Sequence, residues 1–132
     1  MESKPGNSWI GLGTDLVEIA RLRESIQRSG ELFLKHVYAE EELSAVPKDG
    51  PRRLEFFAGR WAAKEALAKA LGTGIGAKCH MNEICVLNDA DGRPVMTLTG
   101  TTRATADALG VTQILLSLSH DGGFATATVL LA

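Results

Sequence analysis

The sequence predicts an α+β domain in which helices pack on a mostly antiparallel sheet. Residues 52–71 form the clearest helical segment, which ends at Gly72, and a shorter helix is predicted over 101–109. Turn-forming residues at 88–92 and 120–123 predict two hairpins, the usual connection between antiparallel strands. Alternating or mainly apolar segments predict short strands, at residues 9–16, 83–87, 94–98, 113–119 and 124–131.

The N-terminal strand and the helix after it are predicted from a change of period. Ile10, Leu12 and Leu16 alternate with small or polar residues, so we expect one face of this strand to be buried. Over residues 17–28 the apolar spacing becomes helical, and arginines form a basic edge on another side. A weaker helical pattern covers 32–43. The shorter helix over 101–109 begins at a threonine, which is expected to cap it.

Length and composition predict one domain over residues 1–132, with the polar residues 1–8 as a flexible N-terminal extension. The 132 residues, 45% of them apolar, are enough for one core. The formal charge of −2 argues against nucleic-acid binding, which needs a surplus of Lys and Arg. With neither a signal-peptide pattern nor an apolar run of membrane-spanning length, we expect a cytoplasmic enzyme with no membrane partner. Cys79 and Cys85 match no zinc pattern and are predicted to be reduced thiols.

The helix over 52–71 is apolar on nearly all sides. Its bulky residues form one broad face, and Gly59 with several alanines forms a second face of small residues. We therefore expect this helix to be buried, with another backbone close against the small face. Burying a charge without a partner is costly, so its charged residues must have partners. These residues are Arg60, Lys64, Glu65 and Lys69.

Two interpretations account for these charges. Glu65 and Lys69 lie one turn apart and form an i,i+4 ion pair in the first. In the second, the cations and the carboxylate line a wet cleft that binds phosphate and a metal ion. Asp15 lies where the first strand passes into a helix, which suits an N-cap as well as a ligand. Two carboxylates from separate elements, beside cations and without a Cys/His cluster, favour a hard ion such as Mg²⁺ next to a polyphosphate.

Ser117, Ser119 and His120 lie at the end of a predicted strand. Hydroxyl and imidazole groups there can donate to a phosphate, and histidine can carry a proton because it changes charge near neutral pH. An ordinary hairpin turn with an incidental histidine is the alternative. The glycine-rich segment 72–76 follows a helix, whereas phosphate-binding loops follow a strand, so we interpret Gly72 as a C-cap that helps to shape the site.

Three segments resemble the acyl-carrier-protein synthase family of phosphopantetheinyl transferases, and the similarity covers most of the chain. Residues 11–22 resemble the strand-to-helix opening in which the family's Asp binds the metal. Residues 57–76 resemble the family signature, in which the Glu is the second metal ligand and the Lys residues face coenzyme A phosphates. Residues 117–121 resemble the Ser-x-Ser-His motif near the coenzyme. The second segment is the longest and the most specific.

The resemblance implies the 4′-phosphopantetheinyl transferase fold and a homotrimer with sites between subunits. It implies transfer of the phosphopantetheine arm of coenzyme A to a serine of apo acyl carrier protein, with Mg²⁺ held by Asp15 and Glu65. Those two residues, Lys69 and His120 are the implied catalytic residues. The implied coenzyme-binding residues are Arg60, Lys64, Lys69, Gly72, Ser117, Ser119 and His120. The basic edge of Arg21, Arg23 and Arg28 is interpreted as a docking strip for an acidic carrier helix, with a solvated face as the alternative.

Several alternatives stay open at this point. A metal-bound water, Glu65 or His120 can each be the base that accepts the proton of the serine hydroxyl. A small Mg²⁺-dependent phosphoester hydrolase would use the same carboxylates and cations with water as the nucleophile. A non-catalytic coenzyme-binding module would use them for binding alone. The sequence does not distinguish a fatty-acid carrier from a polyketide carrier.

Overall fold

A computed structural model describes residues 8–132 and has the predicted α+β architecture. The extension predicted over residues 1–8 lies outside the described residues except for its last one. Within the described part, no helix is long and apolar enough to cross a membrane. The elements in chain order are β1 (Gly11–Glu18), α1 (Ile19–Val37), α2 (Glu40–Ala45), α3 (Gly50–Leu71), a short 3-10 helix (Met81–Glu83), β2 (Ile84–Asn88), β3 (Pro94–Leu98), α4 (Gly100–Ala108), β4 (Ile114–Asp121) and β5 (Phe124–Leu131).

The prediction was one mostly antiparallel sheet, whereas the strand pairs within residues 8–132 are all antiparallel and divide into two sheets. The larger sheet has the order β1-β5-β4, and the smaller one is the β2-β3 hairpin. β5 therefore lies between β1 and β4, so the first and last strands of the described residues pair in one sheet. One face of this sheet packs on α3, and that contact contains the main core.

The close approach of β1 to α3 confirms the backbone contact expected at the small face of this helix. A Cβ added to Gly11 would lie 2.0 Å from the carbonyl oxygen of Ala70, and one added to Gly13 would lie 1.9 Å from that of Ala66. Such contacts are impossible for any larger residue, because the obstacle is backbone. The strand rests directly on the helix, and the glycines make this possible.

The expectation that Leu12 and Leu16 lie on the buried face of β1 is wrong. Leu12 is 66% exposed and Leu16 is 61% exposed, whereas Gly13 is buried. Alternate residues of a strand point to opposite faces, and only the glycine face can approach α3 so closely. The leucines consequently lie on the outer face of the sheet.

Helix α1 joins most of the segment predicted over 17–28 to the first part of the segment predicted over 32–43, whose last residues lie in α2. It continues to Val37 across a kink at Gly30, whose φ of 54° lies in the left-handed region that favours glycine. A tyrosine and an alanine separate it from the short α2. The second half of α1 packs on α3, where the rings of Phe33 and Trp61 stack with centroids 5.7 Å apart.

Two local predictions have different outcomes. The threonine cap expected for α4 is wrong, because its N-cap Thr99 makes no side-chain cap. The carboxylate of Glu83 accepts hydrogen bonds from the N–H groups of Thr101 (3.2 Å) and Thr102 (3.0 Å) at this helix end.

Cys79 and Cys85 are free and buried, as predicted, and burial raises the pKa of Cys79 to about 11.

Candidate functional site

Asp15 of β1 and Lys69 of α3 form an ion pair between these two elements. The Lys69 ammonium donates to Asp15 Oδ1 at 3.0 Å and to the carbonyl oxygen of Thr14 at 2.9 Å. The Asp15 side chain is 16% exposed, and that of Lys69 is 53% exposed. The N-cap of α1 is Glu18, and Asp15 lies inside β1. The capping interpretation of Asp15 is therefore wrong.

Glu65 lies beside this contact and completes a pair of carboxylates. Burial raises the pKa of Glu65, the negative charge of Asp15 raises it further, and Lys69 counteracts both effects. Lys69 forms its ion pair with Asp15, which sits on another element, so the simple i,i+4 pair with Glu65 does not account for these charges. A carboxylate whose pKa is raised by burial and by a second carboxylate is a candidate functional residue. A bound cation would offset the repulsion between the two carboxylates.

The donor set suits a hard divalent cation that is also bound by its substrate. Among residues 8–132 no three Asp, Glu, His or Cys side chains come together, so Asp15 and Glu65 have no third protein ligand of these types. Mg²⁺ commonly binds one or two carboxylates and takes its other oxygens from water and substrate phosphates. A zinc or calcium site would need a fuller set of protein ligands.

Glu65 also lines the larger of two clefts that contain predicted metal-binding or coenzyme-binding residues. This cleft has a volume of ≈ 880 Å³ and lies between the second half of α1, the middle of α3 and the segment 75–82. The stacked Phe33 and Trp61 contribute to its mainly apolar wall, and Met81 lies on the same wall. An elongated, mostly apolar ligand group fits such a cleft. An anionic end of that ligand next to Glu65 would need a cation between the two groups.

Arg60, Ser117, Ser119 and His120 come together at a second cleft of ≈ 350 Å³. The Arg60 guanidinium lies 4.0 Å from the centroid of the Phe56 ring and donates to the carbonyl oxygen of Val86 (3.3 Å). These contacts fix its direction while it lines the cleft. The Arg60 guanidinium and the His120 imidazole are donors suited to a phosphate group. Alternation along β4 places the side chains of Ser117 and Ser119 on the opposite face of the strand from that of His120.

The expectation that Lys64 faces coenzyme A phosphates is contradicted by its surroundings. Its side chain is 0% exposed, and its ammonium lies 2.6 Å from Glu42 Oε1. It also donates to the carbonyl oxygens of Met81, at 2.9 Å, and Ile84. An ammonium has three donors, and all three are used inside the protein. Lys64 therefore has no donor left for a ligand.

Gly72 and the docking arginines lie where local structure predicted them. Gly72 ends α3 with a φ of 82°, as expected of a C-cap, and its N–H donates to the carbonyl oxygen of Lys69 at 3.0 Å. Gly72 lines neither of the two clefts, so the structure does not place it at a coenzyme-binding surface. Arg21, Arg23 and Arg28 are exposed on the first half of α1. Their role in docking stays a prediction.

Three residues of these surroundings were missed by sequence reasoning. Glu55 Oε2 lies 3.4 Å from His120 Nδ1, and Asn88 Oδ1 lies 3.4 Å from Arg60 Nη2. Neither has a sequence signal, because each meets its partner only after folding. Glu42 does have a sequence signal, because a glutamate three residues after the N-cap of a helix often accepts a hydrogen bond from the backbone N–H of that N-cap residue. That bond is present, from Ala39 N to Glu42 Oε1 at 2.9 Å.

Replacing Glu65 by Gln is expected to stabilise the metal-free protein more at neutral pH than in acid. The folded-state pKa of Glu65 lies above 4.5, so its ionisation opposes folding as pH rises from that value through the folded pKa. Glutamine cannot ionise and lacks this penalty. We expect the stability difference between Glu65→Gln and the native chain to be larger at about pH 7 than at about pH 4 in urea unfolding with a chelator. An equal difference at both pH values would contradict the assigned electrostatics.

Comparison with known proteins agrees with the fold and with the resemblance. A family model described as the 4′-phosphopantetheinyl transferase superfamily matches residues 11–129. The holo-[acyl-carrier-protein] synthase of Photorhabdus laumondii is 43% identical over 122 residues, which cover 92% of this chain and 96% of that protein. The crystal structure of the Neisseria meningitidis synthase has a TM-score of 0.87 at 30% identity, covering 95% of this chain and 99% of the other.

A second solved structure carries a ligand in its description. The Helicobacter pylori holo-[acyl-carrier-protein] synthase was crystallised in complex with coenzyme A. It has a TM-score of 0.82 at 30% identity, and the match covers 92% of this chain and 99% of the other. The family-model match covers far more than half of the sequence, and several relatives share more than 30% identity over nearly their whole length. The chain therefore belongs to the 4′-phosphopantetheinyl transferase superfamily.

Proposed function

We propose that this protein transfers the 4′-phosphopantetheine group of coenzyme A to a serine of apo acyl carrier protein, giving the holo carrier and adenosine 3′,5′-bisphosphate. The observation that carries this proposal is the meeting of Asp15, Glu65 and Lys69 beside an apolar cleft of ≈ 880 Å³. The curated relatives named holo-[acyl-carrier-protein] synthase and the coenzyme A complex of the Helicobacter pylori synthase support the same activity.

Asp15 and Glu65 are the side chains that would hold Mg²⁺. When bound, the ion would draw charge from the pyrophosphate and offset the charge that develops on the departing bisphosphate. Lys69 adds a fixed positive charge, because its ammonium is held by Asp15 and by the Thr14 carbonyl oxygen. The exposed half of its side chain leaves it able to reach an anionic ligand.

The attacking hydroxyl belongs to the carrier serine, so the enzyme supplies a proton acceptor and no nucleophile. Glu65 is a candidate acceptor because its raised pKa increases its affinity for a proton. His120 is the other candidate side chain, with Nδ1 facing Glu55. Within one chain, His120 lines the smaller cleft and Glu65 the larger one. In an assembly of several copies, one site could use both residues if a second subunit supplied the smaller cleft.

Loss of either carboxylate is expected to abolish transfer. Asp15→Ala and Glu65→Ala should each lower transfer by more than about 100-fold, since even a partner outside the ligand set typically costs 10–100-fold. The assay incubates the protein with apo carrier protein, coenzyme A and Mg²⁺, and weighs the carrier by mass spectrometry. A carrier heavier by one phosphopantetheine arm is the expected product.

The control and the alternatives are resolved in the same assay. Asp107→Ala removes an exposed carboxylate of α4 that pairs only with Arg103 at the surface, so it should leave transfer unchanged. A hydrolase would release free phosphopantetheine without changing the carrier mass, and a binding module would form no product. Either result with the native chain, or near-normal transfer by both alanine variants, would refute the proposal.

Carrier docking is proposed for the first half of α1. Arg21, Arg23 and Arg28 are exposed there and can attract an acidic carrier helix, an interaction that weakens with salt. In the same assay, Arg21→Glu should raise the KM for the carrier and make that KM less dependent on salt concentration. The KM for coenzyme A should stay unchanged. An unchanged KM for the carrier would favour the solvated-face interpretation.

A homotrimer is proposed from the outer face of the β1-β5-β4 sheet. Leu12, Leu130 and Leu115 pair across this face, and Leu16 lies near them. Leu12, Leu16 and Leu115 are 66%, 61% and 47% exposed. Apolar patches of this kind mark interaction sites. By strand register Ser117 shares this face, so a neighbouring copy that covers the face would lie next to Ser117.

A charge on this face is expected to break the assembly. Leu16→Glu should convert the trimer to monomers in sedimentation velocity, because a carboxylate would be buried between subunits without a partner. Val95→Glu is the matched control, since Val95 is 44% exposed on β3 and belongs to the other sheet. A native chain that sediments as a monomer, or a Leu16→Glu variant that remains a trimer, would contradict the proposal.

A further inference from the structure

The buried ion pair of Lys64 and Glu42 connects four segments of the chain. Both side chains are 0% exposed, and their charged atoms lie 2.6 Å apart. Glu42 Oε1 also accepts the N–H of Ala39 at 2.9 Å, and Oε2 accepts the N–H of Val86 at 2.9 Å. With the two carbonyls that Lys64 binds, the pair joins the start of α2, the middle of α3, the segment 81–84 and β2.

Burying such a pair costs free energy, because both charges lose their contact with water. Burial lowers the pKa of Lys64, and the charge of Glu42 is the largest influence that opposes this. Apolar residues of similar volume are often at least as stabilising as a buried ion pair. A role in arranging the structure would account for it, because each of its charges accepts or donates in fixed directions.

The position of Lys64 in α3 links the pair to the metal-binding side. Glu65 is the next residue, and successive residues of an α-helix point about 100° apart. With Lys64 fixed toward α2 and β2, the rotation of α3 about its axis is fixed, and Glu65 points to the large cleft. The ammonium also binds the carbonyl oxygen of Met81, whose residue lines the same cleft as Glu65.

We propose that the Lys64/Glu42 pair is a positioning device that fixes the direction of Glu65 and the adjacent cleft wall. Neither residue touches substrate or metal in this assignment. Both act through the rotation of α3 and through the Met81 carbonyl. The inference rests on the proposed function in one respect, namely that Glu65 is a metal ligand.

Direct binding of Mn²⁺ tests the proposal without relying on turnover. Free Mn²⁺ is measured by electron paramagnetic resonance while the ion is titrated into the native protein, Lys64→Met, Glu42→Gln and the double variant. Each folded single variant should bind Mn²⁺ about 10- to 100-fold more weakly, the usual effect of losing a group that orients a ligand. The double variant should bind Mn²⁺ no more weakly than the weaker-binding of the two single variants, because both changes remove the same interaction.

A purely structural pair would give a different result. It would lower the midpoint of urea unfolding while folded variants bound Mn²⁺ as the native chain does, and that outcome overturns the proposal. A phosphate-binding Lys64 would raise the KM for coenzyme A in Lys64→Met but not in Glu42→Gln, which also overturns it. A cooperative urea-unfolding transition identifies the folded variants.

Two further variants keep the test decisive. If the single variants do not fold, the double variant, which leaves no unpaired buried charge, carries the Mn²⁺ measurement alone, and native-like binding by it overturns the proposal. Glu65→Ala serves as the reference for a missing ligand. Should Glu65→Ala bind Mn²⁺ as the native chain does, the metal assignment of the proposed function fails. Weak binding by Glu65→Ala with native binding by both pair variants refutes the positioning role alone.

Discussion

The direct contact between the backbone of β1 and the backbone of α3 determines where the carboxylates of this protein lie. Gly11 and Gly13 have no side chain to separate the strand from Ala66 and Ala70 of the helix. Asp15 follows on the same face of the strand, two residues further on. Its carboxylate therefore reaches the ammonium of Lys69, 54 residues away in sequence.

The four charged residues of α3 from residue 60 onward differ in the partners that they use. Lys64 and Arg60 are buried and donate to groups inside the protein, in particular to Glu42 and to carbonyl oxygens of the segment 81–86, and Arg60 also lines the smaller cleft. Glu65 and Lys69 lie at the boundary with β1, where solvent and ligands reach them. A helix that is otherwise apolar thus contributes both to the framework and to the site.

The sequence predicted the long helix, its glycine C-cap, the hairpins and the small face of α3, because each depends on local spacing or local chain direction. It did not predict which face of β1 is buried, since alternation reveals two faces without saying which one meets the helix. Leu12 and Leu16 were placed inside for this reason. Lys64 was misassigned because its partner Glu42 is 22 residues away and only the folded chain brings them together. Residue type and motif both indicated Asp15 and Glu65, and the folded chain brings these two carboxylates within electrostatic reach of each other. Their role as metal ligands stays a proposal.

The stability of Gly13→Ala tests the central contact most directly, with Gly59→Ala as the matched change. A Cβ at residue 13 meets backbone at 1.9 Å, whereas one at residue 59 meets only the Leu118 side chain at 3.9 Å. In urea unfolding, Gly13→Ala should lose about 1–3 kcal/mol or more. Gly59→Ala should lose nothing, since alanine is favoured over glycine inside a helix by about 0.5–1 kcal/mol. A Gly13→Ala protein as stable as the native chain would show that β1 does not rest on α3 and would remove the basis for placing Asp15 beside Glu65.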